Sequence, residues 1–239
     1  MRIAILNTQT DPSEFAKRHD NDGLKFAALL RSVRPDWRYD VYPVMADQFP
    51  ASLAAIDGIV ITGSIASVHD DQPWIARLEE LVREAFAAGI PQFGACFGHQ
   101  VIATALGGTV GKNPFGWSFG VSEVSVREPP GWMVPPQPVT HLFSAHIEQV
   151  TELPPGPRTF ATAPDVPHAG YAIDSRVATT QYHPEIDQPF FAELIEAFAD
   201  EFPADVVKLA RAQCSMPTNS ADYAEWMARF FEQGARPSA

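Results

Sequence analysis

The residues best placed for chemistry lie in Gly94-Ala95-Cys96-Phe97-Gly98, where a cysteine stands between two glycines. The apolar run Ile90 to Gly94 before it reads as a strand, and Phe97 to Leu106 after it reads as a helix closed by Gly107-Gly108. A strand that runs into Gly-x-Cys-x-Gly and at once into a helix has the nucleophile-elbow arrangement, with cysteine in the place of serine. The turn is sharp, and side chains at Gly94 and Gly98 would collide with neighbouring elements. Such a turn lifts the sulfur to the carboxyl edge of the sheet, where open α/β sheets bind ligands. The helix N-terminus also favours an anion, hence a thiolate. Most free cysteines are small buried hydrophobes; the strand-before, helix-after context separates Cys96 from Cys214. Cys214 has no glycine elbow and is expected in a polar loop or helix end, as a structural or surface thiol.

A cysteine nucleophile needs a base, and the base needs a group that orients it. Of the seven histidines, His183 follows the apolar stretch Arg176 to Tyr182 in Gln181-Tyr182-His183-Pro184-Glu185. Pro184 holds His183 extended, so that positions 183 and 185 project to a common side. Glu185 can then accept a hydrogen bond from the imidazole. The strand before His183 is expected to lie beside the elbow strand. His19, His69, His99, His141 and His168 read as ordinary surface or loop residues, and no pair has zinc spacing. Neither a metal nor a cofactor is expected.

The elements that must position these groups alternate. Residues 2–7 read as a first strand, Asp22 to Val33 as a helix, Arg38 to Val44 and Gly58 to Ile61 as strands. The helix is expected to bury Leu24, Ala27, Ala28, Leu29 and Val33. Pro73 opens the clearest helix, with Trp74, Leu78, Leu81, Val82 and Ala85 on one face and Gly89 closing it. This β-α alternation predicts an α/β fold: a mostly parallel central sheet flanked by helices on both faces. From Thr109 the pattern changes to shorter, proline-punctuated strands near 121–127, 138–143, 158–163, 169–173 and 176–182. They predict an antiparallel extension that rejoins the main sheet with its last strand. Asp187 to Glu201 reads as a helix, residues 203–233 as two more broken near Ser215-Met216-Pro217, and the last five residues as a frayed tail.

Composition limits the partners. The chain has 239 residues, 46% of them apolar, enough for one large domain with a sizeable core. With 17 Lys plus Arg against 29 Asp plus Glu, the formal charge is −12. Such a surface repels phosphate backbones and anionic lipids, so neither nucleic acid nor membrane is expected as a partner. The first residues are too short an apolar run for a signal peptide, and no stretch reaches the roughly 20 apolar residues of a membrane span. Two cysteines do not make a disulfide framework, which points to a reducing cytoplasm.

Taken together, Gly94-Ala95-Cys96-Phe97-Gly98-His99-Gln100 and Tyr182-His183-Pro184-Glu185 resemble the class I, triad-type glutamine amidotransferase family. The likeness is greatest to stand-alone members described as GMP-synthase-like, and it extends over roughly residues 1–200. Lys112-Asn113-Pro114-Phe115-Gly116-Trp117 adds to it. The resemblance implies a flavodoxin-like amidotransferase domain over 1–200, with 201–239 as a C-terminal helical extension packed on the same domain. It implies Cys96, His183 and Glu185 as catalytic residues. Thr62-Gly63-Ser64-Ile65 matches the family's Gly-Gly-Pro loop, with Ser64 and Ile65 departing from it, and implies an oxyanion hole at Gly63, Ser64 and Phe97. Gln100 and the segment holding His146, Ile147 and Glu148 match the substrate-binding positions. Trp117, Phe115 and Phe119 could line a substrate or partner surface, with core packing expected of at least two.

Three functions follow from the resemblance. The first is an amidotransferase that hydrolyses the glutamine side-chain amide and passes ammonia to a separate synthetase or acceptor subunit. The chain carries no synthetase of its own: Gly107-Gly108-Thr109-Val110-Gly111-Lys112-Asn113 fails the P-loop spacing and its final hydroxyl. The second is a γ-glutamyl hydrolase acting on peptides or amides, although peptidase relatives usually carry histidine where Phe97 stands. The third, a non-catalytic binding module of the same fold, predicts triad losses that the sequence does not show.

Overall fold

Strand β1 (Arg2–Asn7) forms the hub of the sheet because it alternates between two apolar faces. Ile3 and Ile5 enter one core, Ala4 and Leu6 the other. β1 pairs in parallel with β2 (Arg38–Pro43) and β3 (Gly58–Ile61); β3 pairs in parallel with β4 (Gln92–Ala95), and β4 with β11 (Val177–Thr180). The computed structural model describes residues 1–235. Of the five residues expected as a frayed tail, 236–239 lie outside them.

Helices cover both faces, as parallel strands require. On one side α2 (Asp22–Arg31) and α7 (Ser220–Gly234) pack over Ile3, Ile5, Val60 and Phe93. On the other, α3 (Pro73–Ala87) and α4 (Phe97–Ala105) pack over Ala4, Leu6, Ile59 and Ile61. The face expected for α3 is the buried one, with Ile75 added. The face expected for α2 is met only in part: Ala27 is buried and Leu29 packs partly against the core, but Leu24 and Ala28 are exposed, and Gly23, Phe26 and Leu30 join Ala27 in pointing inward. That inner set also has i, i+3, i+4, i+7 spacing, but it begins at a glycine, which carries no hydrophobic signal.

Beyond β11 the sheet turns antiparallel through β10 (Val166–Ile173), β9 (Arg158–Ala163), β6 (Ser118–Val126) and β7 (Val139–His146). The order is β2-β1-β3-β4-β11-β10-β9-β6-β7, a nine-stranded sheet among the described residues. The mostly parallel centre and its antiparallel extension are thus as expected. A separate ribbon of β5 (Thr109–Lys112) and β8 (Glu148–Glu152) was not expected. Each of its strands is short and carries charged residues, so neither has a continuous apolar run to read.

A third core lies under β6 and β7, where Phe119, Val121 and Phe143 meet α5 (Gln188–Ala197) and α6 (Ala204–Gln213). α5 is shorter than the expected Asp187 to Glu201 and ends in a short 3-10 turn at Ala199–Glu201. The short helix α1 (Glu14–Lys17) is capped by the Ser13 side chain. No helix of the described residues is long and apolar enough to cross a membrane.

The C-terminal helix belongs to the main core. Trp226, Phe230 and Phe231 of α7 are fully buried, and a side chain of this size stabilises by about 1.5–3 kcal/mol on burial. Phe230→Ala should therefore cost about 3–5 kcal/mol in urea unfolding. Leu209→Ala, at an exposed position of α6, should change it by less than about 0.5 kcal/mol.

Candidate active site

β4 ends at Ala95 and α4 starts at Phe97, so a single residue makes the turn. That residue is Cys96, with φ 50° and ψ −107°. A non-glycine residue there carries strain of about 1–3 kcal/mol, which only a well-determined surrounding sustains. The surroundings are closely fitted. Cys96 N donates to Thr180 O of β11 at 2.9 Å, Cys96 O accepts from Gln100 N at 3.1 Å, and Gly98 N donates to Thr62 O at 3.0 Å. A Cβ on Gly94 would lie 2.5 Å from Gly98 O, and one on Gly98 would lie 2.2 Å from Ile61 O. Both contacts are with backbone, so no rotamer change could relieve them.

β11 delivers the imidazole. It pairs with β4 up to Thr180 opposite Ala95, and the chain continues to His183, whose N–H donates to Phe143 O at 2.9 Å. The strand is shorter than the expected Arg176 to Tyr182, because the chain leaves β4 after Thr180 and His183 bridges to Phe143 of β7. His183 Nδ1 lies 2.7 Å from Glu185 Oε1, with the two side chains 9% and 0% exposed. Across Pro184 the pair is aligned as the His-Pro-Glu spacing predicts.

Gly63 marks how close the two halves come. A Cβ built on it would sit 2.8 Å from His183 Cε1 and 3.6 Å from Cys96 Cβ. Imidazole and cysteine therefore flank one point at the carboxyl end of β3. His183 Nε2 is buried and makes no hydrogen bond in this resting arrangement. Burial opposes a charge on the ring. The negative charges of Glu185 and Cys96, with their hydrogen-bonding capacity, outweigh it and hold His183 well above the usual imidazole range.

The loop after β3 is anchored from β1. Thr8 Oγ1 donates to Gly63 O at 2.8 Å, and Thr8 N donates to Thr62 Oγ1 at 3.0 Å. With the Gly63 carbonyl so held, the trans peptide fixes the Ser64 N–H in the opposite direction. Ser64 Oγ meets Thr10 Oγ1 at 3.3 Å and accepts from Ala66 N. Nothing in the sequence around Thr8 signalled this part.

Gln100, His146, Ile147 and Glu148 also come together. Gln100 Nε2 donates to Glu148 O at 2.8 Å and to Gln181 Oε1 at 3.3 Å, and His146 Nδ1 lies 3.2 Å from the same Glu148 O. Ile147 O accepts from Asn113 N, and Ser67 Oγ donates to the Glu148 carboxylate. The β7–β8 junction is thus tied to α4 one turn beyond the cysteine. His146 is pushed down to about 4, first by burial and then by the charge of His183, so it is neutral.

Two expectations need correction, that for His99 and that for the aromatics. His99 is neither a surface nor a loop residue: it is fully buried on α4, 2.9 Å from Thr179 Oγ1, and burial pushes it down to about 3. The elbow turns that side of α4 onto the sheet, where polar residues are seldom anticipated. Cys214 stands at the end of α6, as expected, and is buried in the α5–α6 core, which leaves the structural alternative. Of the three aromatics, Phe119 stacks on Phe202 at 4.3 Å within the core; Trp117 is half-exposed with its edge on Phe202, and Phe115 is 77% exposed. Sequence reading also passed over Asp22 and Lys25, whose ion pair lies beside Glu185.

Residues 22–201 match the family model described as glutamine amidotransferase class-I. The chain belongs to the class I glutamine amidotransferase family. It is 32% identical over 215 residues to a γ-glutamyl-L-1-hydroxyisopropylamide hydrolase of a Pseudomonas species, covering 78% of this chain and 68% of that protein. It is likewise 32% identical over 175 residues to the glutamine-hydrolysing GMP synthase of a Parafrankia species, covering 69% of this chain and 30% of the synthase. In fold it is similar to the crystal structure of a glutamine amidotransferase from Methylobacillus flagellatus, with a TM-score of 0.78 and 20% identity over 100% of this chain and 96% of that one.

The raised His183 gives a signed pH dependence. Its ion pair contributes fully to stability below the unfolded imidazole value of about 6.5 and is lost as pH rises through the folded value. Glu185→Gln should lower the His183 titration midpoint seen by NMR. Its stability deficit against the parent should be largest near pH 6 and shrink toward alkaline pH.

Proposed function

We propose that the chain is a cysteine-dependent amidase of γ-glutamyl compounds, with Cys96 as nucleophile, His183 as acid and base, and Glu185 as its orienter. The observation that carries this reading is the strained Cys96 turn set against a buried His183–Glu185 pair. A cysteine at positive φ, held between interlocked glycines, serves no packing need that a glycine would not meet with less strain.

The steps are those of acyl transfer through a thioester. The Cys96 thiolate attacks the side-chain amide carbon, and the C=O electron pair moves to oxygen. The N–H groups of Ser64 and Phe97 take the oxyanion, with Gly63 giving the close approach; such donors are worth about 3 kcal/mol each in related chemistry. The tetrahedral species collapses, the C–N bond breaks, and His183 gives its proton to the leaving ammonia or amine. Water, deprotonated by the now neutral His183, then cleaves the γ-glutamyl thioester to glutamate and restores the thiolate and the charged imidazole. Gln100, His146, Ile147 and Glu148 hold the amino-acid end of the substrate. These steps call on no metal or cofactor.

Glutamine is the leading substrate, with its ammonia passed to a separate acceptor enzyme in the cytoplasm; the likeness to the glutamine-hydrolysing GMP synthase supports this. A second reading, hydrolysis of other γ-glutamyl amides or peptides, is favoured by the likeness to the γ-glutamyl amide hydrolase. A non-catalytic module remains the third. We take residues 1–200 as the amidase unit and 201–239 as an extension of the same domain. The burial of Trp226, Phe230 and Phe231 against the main sheet supports that division.

Incubation of the pure chain with glutamine and with γ-glutamyl dipeptides, with ammonia and glutamate measured, separates these readings. Glutamine turnover supports the first, and peptide turnover without it supports the second. Cys96→Ser should lower either activity by at least about a thousandfold. Gly63→Ala, whose methyl would press on His183, should lower it about a hundredfold. Undiminished turnover in Cys96→Ser would refute the nucleophile. An inert protein whose Cys96 also resists iodoacetamide would support the binding module.

A further inference from the structure

β1 and β3 run side by side as far as Leu6 opposite Ile61, so the residues that follow them, Thr8 and Thr62-Gly63, come together just past the strand ends. Thr8 and Thr62 are both fully buried. Thr62 Oγ1 accepts from Thr8 N at 3.0 Å and lies 3.1 Å from Gly63 O; Thr8 Oγ1 lies 2.8 Å from the same oxygen. Among the described residues these two hydroxyls are the donors to the Gly63 carbonyl. The other carbonyl within reach of Thr8 Oγ1, that of Thr62 at 3.1 Å, already takes the Gly98 N–H at 3.0 Å. The hydroxyls are themselves 3.0 Å apart, so they act as one donor unit. A buried carbonyl is costly to leave without a donor, and the pair therefore decides which way the Gly63–Ser64 peptide faces.

Little else in the loop decides it. Gly63 has no side chain to restrain its backbone, and Ile65, not a proline, follows Ser64, so no ring restrains the far side. The Ser64 side chain is occupied with Thr10 Oγ1 at 3.3 Å and Ala66 N at 3.1 Å. The Ser64 backbone N–H, by contrast, meets no acceptor among the described residues. This peptide stands against the reacting groups, since the Cβ direction of Gly63 ends 3.6 Å from Cys96 Cβ and 2.8 Å from His183 Cε1.

We propose that Thr8 is a positioning residue for the oxyanion hole: with Thr62, its hydroxyl holds the Gly63 carbonyl away from Cys96 and so keeps the Ser64 N–H toward the oxygen that becomes charged. The inference rests on the catalytic reading given above. In a trans peptide the C=O and N–H point oppositely, so a peptide turned over would present a carbonyl oxygen to the oxyanion and repel it. Such a residue acts on the transition state and leaves substrate binding and the thiolate alone. A threonine that merely tied β1 to β3 would affect stability and not this balance.

The test compares Thr8→Val, which keeps the shape and removes the hydroxyl, with Thr8→Ser, which keeps the hydroxyl. For each, kcat and KM are measured on the best γ-glutamyl substrate, and Cys96 alkylation by iodoacetamide, which forms no oxyanion, is timed. Thr8→Val, folded by circular dichroism, should lower kcat about tenfold with KM within about twofold, less than the loss of a whole donor because Thr62 remains. Its alkylation rate should stay within about twofold of the parent, and Thr8→Ser should stay within about twofold in every measure. A kcat in Thr8→Val within about twofold of the parent would overturn the proposal. So would an alkylation rate that falls with kcat, or a Thr8→Ser as slow as Thr8→Val. If Thr8→Val does not fold, Thr8→Ala takes its place under the same limits. A parent chain that turns over neither glutamine nor γ-glutamyl dipeptides would refute the catalytic reading. The anchoring is then decided by the crystal structure of Thr8→Val/Thr62→Val: a Gly63 carbonyl turned toward Cys96 supports it, and one still turned toward β1 without either hydroxyl overturns it.

Discussion

The structure of the site depends on one steric constraint: the first turn of α4 lies against the end of β3 with no room for a side chain between them. Gly98 meets the Ile61 carbonyl, and Gly94 meets Gly98. This contact locks β3, β4 and α4 at fixed separations and leaves Cys96 the strained residue between them. The strain is small beside the apolar burial on both faces of the sheet, so the fold can sustain it. From the same junction follow the position of the Gly63 loop at the end of β3 and the turn of His183 away from β11.

The second theme is charge in a dry setting. His183 and Glu185 are almost fully enclosed, as are His99 and His146, yet burial acts on them in different ways. His99 and His146 lack a nearby carboxylate strong enough to offset burial, so both stay neutral. His183 alone has a carboxylate at 2.7 Å with Cys96 also close by, and these hold it well above the usual imidazole range. The three histidines thus divide into two neutral rings and one that favours its charge, through neighbours alone.

Much of this was legible in the sequence because each signal there had a local physical cause. The glycines at 94 and 98 announce the elbow, and His183-Pro184-Glu185 announces a pair that faces one way. The α3 face could be read from side-chain spacing. The α2 face could not, since its decisive member is Gly23. The β5–β8 ribbon escaped notice because its short strands are partly polar, and its pairing joins segments far apart in the chain. The same holds for Thr8, which anchors Gly63. Its importance arises only where the topology brings the end of β1 beside the carboxyl end of β3. His99 looked like a surface residue because its partner, Thr179, lies on β11, far along the chain.

The central claim is that Cys96 itself carries the γ-glutamyl group. Rapid acid quenching of the protein during turnover of a γ-glutamyl substrate, followed by mass spectrometry of its peptides, tests this directly. The account predicts one γ-glutamyl group on the peptide containing Cys96, labile to hydroxylamine and missing from Cys96→Ser. Turnover with Cys96 unmodified, or with the group on another residue, would contradict it.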